Sequence, residues 1–346
     1  MPPNDTLSQL SFEPDPDDDP AGLVYTFGGA APVASVRPGQ VLSTWTRDCF
    51  AGRVRSAADK ASEVCDPRYI NPQTGPFYLE GAEPGDTLAV HFVSIEPRFG
   101  WGVSANLPLF GALTATPTTA LLHPPLPELT WFYELDLADR LVRYRARDSV
   151  HEVDLPLDPM HGTVGVAPAL GEVRSSLAPG NWGGNMDTPE MRAGVTCYLG
   201  VNVPGALFSF GDGHARQGEG ETCGVAVETA MDTVVIIDLI KDRSTPWPRL
   251  ESDDYLITTG STKPLEDAFR IAHTELIGWL CEEVGLSVMD AYQLVTQAVL
   301  SPVANVVDTV YTMTAKFPKA YLNGARAMNG MHQLMVERAR QLRMNP

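Results

Sequence analysis

The 346-residue sequence predicts a mainly β protein whose helices are confined to its C-terminal part. Two observations carry that expectation. Between residues 21 and 260, short apolar stretches alternate with turn residues, the texture of strands joined by tight loops. Apolar spacing of three and four begins only after Pro264. At this length the chain can bury a large core, in two packed lobes or in one large β-rich domain.

Taken in order, residues 1–20 carry Asp15, Asp17, Asp18 and Asp19 among prolines and too few apolar side chains to offset ordering entropy, which predicts a flexible acidic leader. Residues 21–260 are expected to form one β-rich region. Its strands are expected at residues 34–37, 41–46, 87–93, 141–153, 195–203 and 222–239, and in the last of these a carboxylate, Glu228, interrupts an otherwise apolar run. Residues 261–319 read as a helical hairpin and a closing strand. Leu265, Ala268, Phe269, Ala272, Leu276, Trp279 and Leu280 make one amphipathic stripe that ends before Gly285, and Ser287 with Asp290 three residues on opens a second helix. Residues 320–346, rich in helix formers and alternating charge, read as a helical tail.

Acidic residues outnumber basic ones 43 to 25, a net charge of −18 that would repel nucleic acid and anionic membrane surfaces. Five cysteines without any CxxC pair argue against a disulfide framework and against a zinc ribbon, so a reducing cytoplasm is expected. There is neither a secretion-signal pattern nor an apolar run long enough to span a bilayer.

Chemistry concentrates between Gly180 and Glu221. Asn185 and Asp187 follow two glycines, Asp212 and His214 sit in a Gly-Asp-Gly-His turn, and Glu219 and Glu221 alternate with glycines. Each pair has i, i+2 spacing, which in extended chain puts both groups on one face and in a turn lets them fork around a cation. The intervening apolar run, residues 195–210, is expected to return the chain across a sheet so that the two acidic turns converge. The simpler alternatives are a turn braced by Asp212 and a solvated acidic loop at Glu219 and Glu221. His161, lifted by Gly162, and Asp48, at the end of an apolar strand, are further candidates for the same centre. Gln73, in Asn71-Pro72-Gln73-Thr74-Gly75-Pro76, is placed either to orient a small substrate or merely to form a turn, and the turn is the preferred reading.

These segments, in the order Asn71 to Pro76, Glu80-Gly81-Ala82-Glu83-Pro84-Gly85-Asp86, His161-Gly162-Thr163-Val164-Gly165, Gly183-Gly184-Asn185-Met186-Asp187 and Gly211 to Glu221, resemble the acetamidase/formamidase family over about residues 20 to 318. The resemblance implies a β-rich sandwich or barrel-like fold with a smaller C-terminal α+β part and a homodimer or higher homo-oligomer. It also implies hydrolysis of a small neutral amide of the formamide or acetamide type to carboxylate and ammonia. It further implies a divalent metal, zinc first and calcium second, with Asp187 and His214 as leading ligands and Asp212, His161, Asp48 and Glu221 behind them. Trp182, before the paired glycines, would shape the amide pocket.

An amide resists attack through its resonance, so hydrolysis needs a strong nucleophile, charge stabilisation and a proton for the departing nitrogen. A divalent ion supplies the first two. The third falls to Glu221, with Glu219 as substitute, while Asn185 and the amides of Gly183 and Gly184 would donate to the oxyanion. Ser175 and Ser176 lack the glycine-rich surroundings of a Ser-Ser-Lys amidase, and a cysteine nucleophile at Cys223 is the minor alternative. Two other classes compete: a metal-dependent lyase or cyclase on a β scaffold, and a non-catalytic module braced by calcium.

Overall fold

The apolar stretches pair into two stacked sheets. In this computed structural model, residues 7–114 and 124–344 are described. Among them, a nine-stranded sheet runs Gln9–Phe12, Gln40–Thr46, Met231–Ile240, Thr87–Pro97, Thr196–Gly200, Arg249–Glu251, Tyr255–Thr262, Tyr311–Pro318 and Val303–Asn305. A ten-stranded sheet runs Glu152–Pro156, Leu141–Arg145, Leu129–Asp136, Trp101–Asn106, Val227–Glu228, Phe208–Arg216, Met160–Gly165 and Gly183–Asn185, with Gln73–Leu79 and Ala34–Val36 joined at its side. Alternation along the strands explains the stacking. Leu88, Val90 and Phe92 point to a core shared with Phe77, Val164, Phe208 and Phe210 of the second sheet, whereas Ala89 and Val93 point the other way.

That other face is covered by helices, which is why the strands of the first sheet read as continuous apolar runs. Helix Leu265–Val284 lays Ala268, Ala272, Leu276, Trp279 and Leu280 on it, and helices Val288–Ala298 and Met331–Met344 add Ala291, Val295, Met335 and Ala339. The first helix ends at Gly285 in the left-handed conformation (φ 73°), and the Ser287 side chain accepts the Asp290 N–H to cap the second. The mainly β class with C-terminal helices is therefore observed. No helix among the described residues is long and apolar enough to cross a membrane.

Local expectations shift in six places. The expected strand 141–153 is a hairpin of Leu141–Arg145 and Glu152–Pro156, and 222–239 is strand only at Val227–Glu228 and from Met231 on. The acidic leader is not wholly free: Gln9–Phe12 pairs in parallel with residues 41–44, and the carbonyl oxygens of Pro14 and Asp15 accept from Trp45 and Arg47. Residues 1–6 of that leader, like 345 and 346 of the tail, lie outside the described residues. Gln73 opens a strand, Gln73–Leu79, and is not in a turn. The run 195–210 does not return across one sheet. It leaves the first sheet at Gly200 and enters the second at Phe208, so the chain changes layers. In the tail, 3₁₀ turns occupy Lys319–Tyr321 and Ala327–Gly330, with the helix starting only at Met331.

Candidate active site

Three neighbouring strands build the site. Phe208–Arg216 carries Asp212 and His214, Gly183–Asn185 delivers Asn185 and then Asp187, and Met160–Gly165 lies between them. In the register that pairs His161 with Gly213 and Thr163 with Gly211, Gly162 falls opposite Asp212. Having no side chain there is what lets the two acids meet. A methyl carbon on Gly162 would stand 2.5 Å from Asp212 Oδ2, closer still to Asp187 Oδ1, and 3.0 Å from His214 Cε1. Asp187, Asp212 and Glu221 all adopt positive φ (44°, 57° and 45°), a conformation that costs energy for residues bearing a side chain and that clusters at functional sites.

One ligand atom each from Asp187, His214 and Glu221 lie within 4.8 Å of one another, and all three residues are buried. Glu221 arrives on a loop fastened to strand Val303–Asn305 by the Gly220 N–H, which donates to Val303 and Ala304 carbonyl oxygens at 2.7 and 3.0 Å. That strand and the residues after it contribute Asn305 and Asp308. Asn185 Nδ2 donates to Asp187 Oδ2 at 2.8 Å and Asp308 Oδ2 at 2.7 Å, and Asn305 Nδ2 reaches the same two oxygens at 3.0 Å. Asn185 Oδ1 accepts from Asn71 Nδ2 and from the Thr163 hydroxyl. Both donor hydrogens of Asn185 are thus committed to carboxylates, so it positions them and is not free to donate to an oxyanion.

The orientation of His214 follows from Gln217. Gln217 Nε2 donates to the carbonyl oxygens of Asp187 (2.6 Å) and Ala304 (3.1 Å), which leaves its Oε1 to accept from His214 Nδ1 at 2.9 Å. Nδ1 therefore carries a hydrogen, and Nε2 faces Asp212 Oδ1 at 3.5 Å and Glu228 Oε2 at 3.3 Å. Burial works against a charge on this ring, but Glu228 and Asp212 outweigh it and raise its pKa well above the ordinary histidine value. Burial also raises Asp187 and Glu221 well above the carboxylate range, with Asp308 and Asp212 repelling both. It pushes Glu228 to about 7 and Asp308 to about 6. At Asp212 burial acts the same way, yet the His214 charge prevails and holds it low.

Five buried carboxyls thus face one imidazole, and two of their oxygens, Asp187 Oδ1 and Glu228 Oε2, are buried without a hydrogen-bond donor. Orphaned oxygens beside a ring nitrogen fit a divalent cation of the zinc or calcium kind. The group Cys49, Asp212 and Glu228 also comes within 4.8 Å. Its thiol is a poorer ligand, because burial, Glu228 and Asp212 push Cys49 well above its usual pKa and keep it neutral.

Several expected residues stand elsewhere. His161 is buried among Phe92 and Phe210, with Nδ1 donating to the Gly211 carbonyl at 2.9 Å and Nε2 accepting from Thr233 at 2.8 Å, so neither nitrogen is offered to the centre. Asp48 Oδ1 caps its own turn by accepting from the Phe50 and Gly52 N–H groups. Glu219 is exposed and faces Glu190, Lys316 and Arg192, whereas Glu221, two residues on, turns inward because the positive φ at Glu221 breaks the alternation. Gly183 and Gly184 sit against Val164 and Ala178 backbone oxygens, where any Cβ would collide, and their role is strand packing. Trp182 lies under Arg174 and against the inter-sheet core. Gln73 braces Asn71 from behind, Nε2 to Oδ1 at 2.9 Å. Cys223 is exposed, its thiol directed to the Val225 carbonyl.

Asn71, Thr163, Gln217, Glu228, Asn305 and Asp308 are not among the site residues expected from sequence. Glu228 had a signal in the lone acid of an apolar strand, and Asn305 and Asp308 had one as the polar pair in Val303-Ala304-Asn305-Val306-Val307-Asp308.

A profile of the Acetamidase/Formamidase family matches residues 29–176 and 171–321. The chain belongs to the acetamidase/formamidase family. Among solved structures, the acetamidase of Yersinia enterocolitica superposes with a TM-score of 0.85 at 38% identity, covering 92% of this chain and 94% of that one. The acetamidase of Bacillus halodurans does so at 0.78 and 28%, covering 91% and 98%. By sequence, the chain is 28% identical over 264 residues to the acetamidase of Mycolicibacterium smegmatis, and 26% identical over 255 residues to the formamidase of Methylophilus methylotrophus. Those matches take in 60% and 61% of this chain and 63% and 62% of the two relatives, so the chain spans under two thirds of the curated relatives it matches. Within this chain four of the five motifs bring Asn71, Gly162, Asn185, Asp187, Asp212, His214 and Glu221 to one place, while Asp86 of the motif Glu80 to Asp86 pairs with Lys241 away from it.

Proposed function

We propose that this chain hydrolyses a linear carboxamide to carboxylate and ammonia, in a metal-dependent reaction at the buried cluster of Asp187, His214 and Glu221. The observation that carries the reading is the convergence of these three residues, from separate segments, beside two buried oxygens that lack donors. The relatives named acetamidase and formamidase support the reaction class.

Asp187, His214 through Nε2, and Glu221 are the residues that would hold the ion, with Gln217 fixing the imidazole and Asn185 and Asn305 fixing the carboxylates. When bound, a divalent ion supplies an activated water and polarisation of the amide carbonyl. Glu228 accepts the Ala226 N–H on one oxygen at 3.0 Å and turns Oε2 toward His214 Nε2 at 3.3 Å, and burial raises its pKa to about 7. Such a carboxyl can take the proton that the attacking water releases and return it to the nitrogen as the C–N bond breaks, a task worth about 10²- to 10⁴-fold. Glu221, facing the same centre within reach of Asp187 and His214, is a ligand more than a proton carrier in this reading. Phe50, Val225 and other apolar residues line the cavity beside this cluster.

The test pairs elemental analysis with ammonia release before and after chelation. Loss of turnover on metal removal and its return on readdition are expected. Undiminished turnover by a verified metal-free sample would refute metal dependence.

A further inference from the structure

Resting on the amidohydrolase reading, we infer that the amide taken by this site carries a sizeable neutral hydrophobic acyl group, an alkyl chain of about five or six carbons or a phenyl ring, in place of the hydrogen or methyl of formamide or acetamide.

The cavity bordered by Asp212, His214, Glu221 and Glu228 has a volume of about 340 Å³. At about 30 Å³ per water this is room for roughly eleven waters, and an apolar cavity of about 150 Å³ is enough for benzene. A carboxamide head takes about two of those water volumes. What remains exceeds the space a phenyl ring needs.

The chemistry of the walls says what fills it. The carboxylates, His214 and Asn185 form one hydrogen-bonded group. Phe50, Ile70, Leu107, Phe110 and Val225 form another, a continuous apolar cluster. Of these, Phe50 and Val225 are buried, while Ile70, Leu107 and Phe110 are only partly covered by protein and keep a face toward the cavity. A one- or two-carbon amide would leave those faces against trapped water. A hydrocarbon group would displace that water and complete the packing, which is worth about fourfold in binding per methylene. No lysine or arginine appears among the described residues lining the cavity, so a second carboxylate on the acyl chain has no partner there and several acids to repel it.

The experiment measures kcat/KM for ammonia release from formamide, acetamide, butyramide, hexanamide and benzamide by the full-length, metal-replete protein. Hexanamide is expected to exceed acetamide on the order of 100-fold, from four added methylenes, with formamide slowest. In Leu107→Trp and, as a second variant, Ile70→Trp, the indole fills the apolar end. Hexanamide hydrolysis should then fall tenfold or more while acetamide changes less than threefold. A wild-type ranking with formamide or acetamide first, or an equal loss on both amides in the two variants, overturns the inference and leaves the amidohydrolase reading standing. Ammonia from none of the five overturns both.

Discussion

Replacing Gly162 with alanine tests the site through a single methyl group. Gly162 does not occupy the left-handed region, so alanine meets no backbone strain and the effect is steric alone. Its Cβ would stand 2.5 Å from Asp212 Oδ2, nearer still to Asp187 Oδ1 and 3.0 Å from His214 Cε1. An ordinary contact needs about 3.5 Å, so both carboxylates must withdraw by about 1 Å. A displacement of that size at a reacting centre costs on the order of 10²-fold in rate, and overpacking a buried strand costs about 1 to 3 kcal/mol. Gly278, inside helix Leu265–Val284, has nothing within 4 Å of its would-be Cβ and serves as control. Alanine there should be neutral or stabilising by up to about 1 kcal/mol. The assay is kcat/KM for ammonia release on samples matched for folded fraction by near-ultraviolet circular dichroism. A Gly162→Ala protein with an unchanged melt and kcat/KM within threefold of wild type would show that the two acids need not hold this geometry for turnover.

Three further outcomes follow from the same structure. Gln217→Leu removes the group that sets the His214 tautomer and should weaken metal binding about 10- to 100-fold in a competition titration; an unchanged affinity would mean that His214 is not oriented by Gln217. Arg249 is 1% exposed and donates to Glu275 at 2.6 Å, so Arg249→Leu strands a buried carboxylate and should cost about 3 to 5 kcal/mol in urea unfolding. Most of that loss should return in the Arg249→Leu/Glu275→Leu double variant. Burial lowers His161 to about 4 and His91 to about 3, below the unfolded value of about 6.5. Between those values the unfolded chain binds protons that the folded chain refuses, so stability is complete above about pH 6.5 and falls as pH drops through the folded pKa values. His161 alone accounts for about 3 kcal/mol by pH 4. Glu228 and Asp308, raised to about 7 and 6, contribute with the opposite sign in this window, so the histidine share is read by difference: between pH 7 and 4.5 the wild-type urea midpoint should lose more than that of His161→Asn, and equal losses would contradict a buried neutral ring at His161.

The positions where sequence and structure part company share a cause. His161 and His214 look alike on paper, each next to glycines, yet one packs between sheets and the other faces the acids. Nothing within either tripeptide says which face of a strand will be covered. Glu219 and Glu221 have the spacing that puts two side chains on one face, and the positive φ at Glu221 separates them. Asn305 and Asp308 lie 118 or more residues from the acid they help to brace, Asp187, since the distance is measured along a chain that crosses from one sheet to the other in between.

By itself the sequence determined the class of the fold, the two capped helices after Pro264 and the family, because strand alternation, helix spacing and ordered short motifs are local properties. It also marked Asp187, Asp212, His214 and Glu221, since acids and an imidazole among glycines are unusual for folding alone. Only the tertiary structure decided which of those groups meet and what stands behind them. The meeting depends on three strands lying side by side with a residue lacking a side chain in the middle one, and that juxtaposition is fixed by packing between segments far apart in the chain.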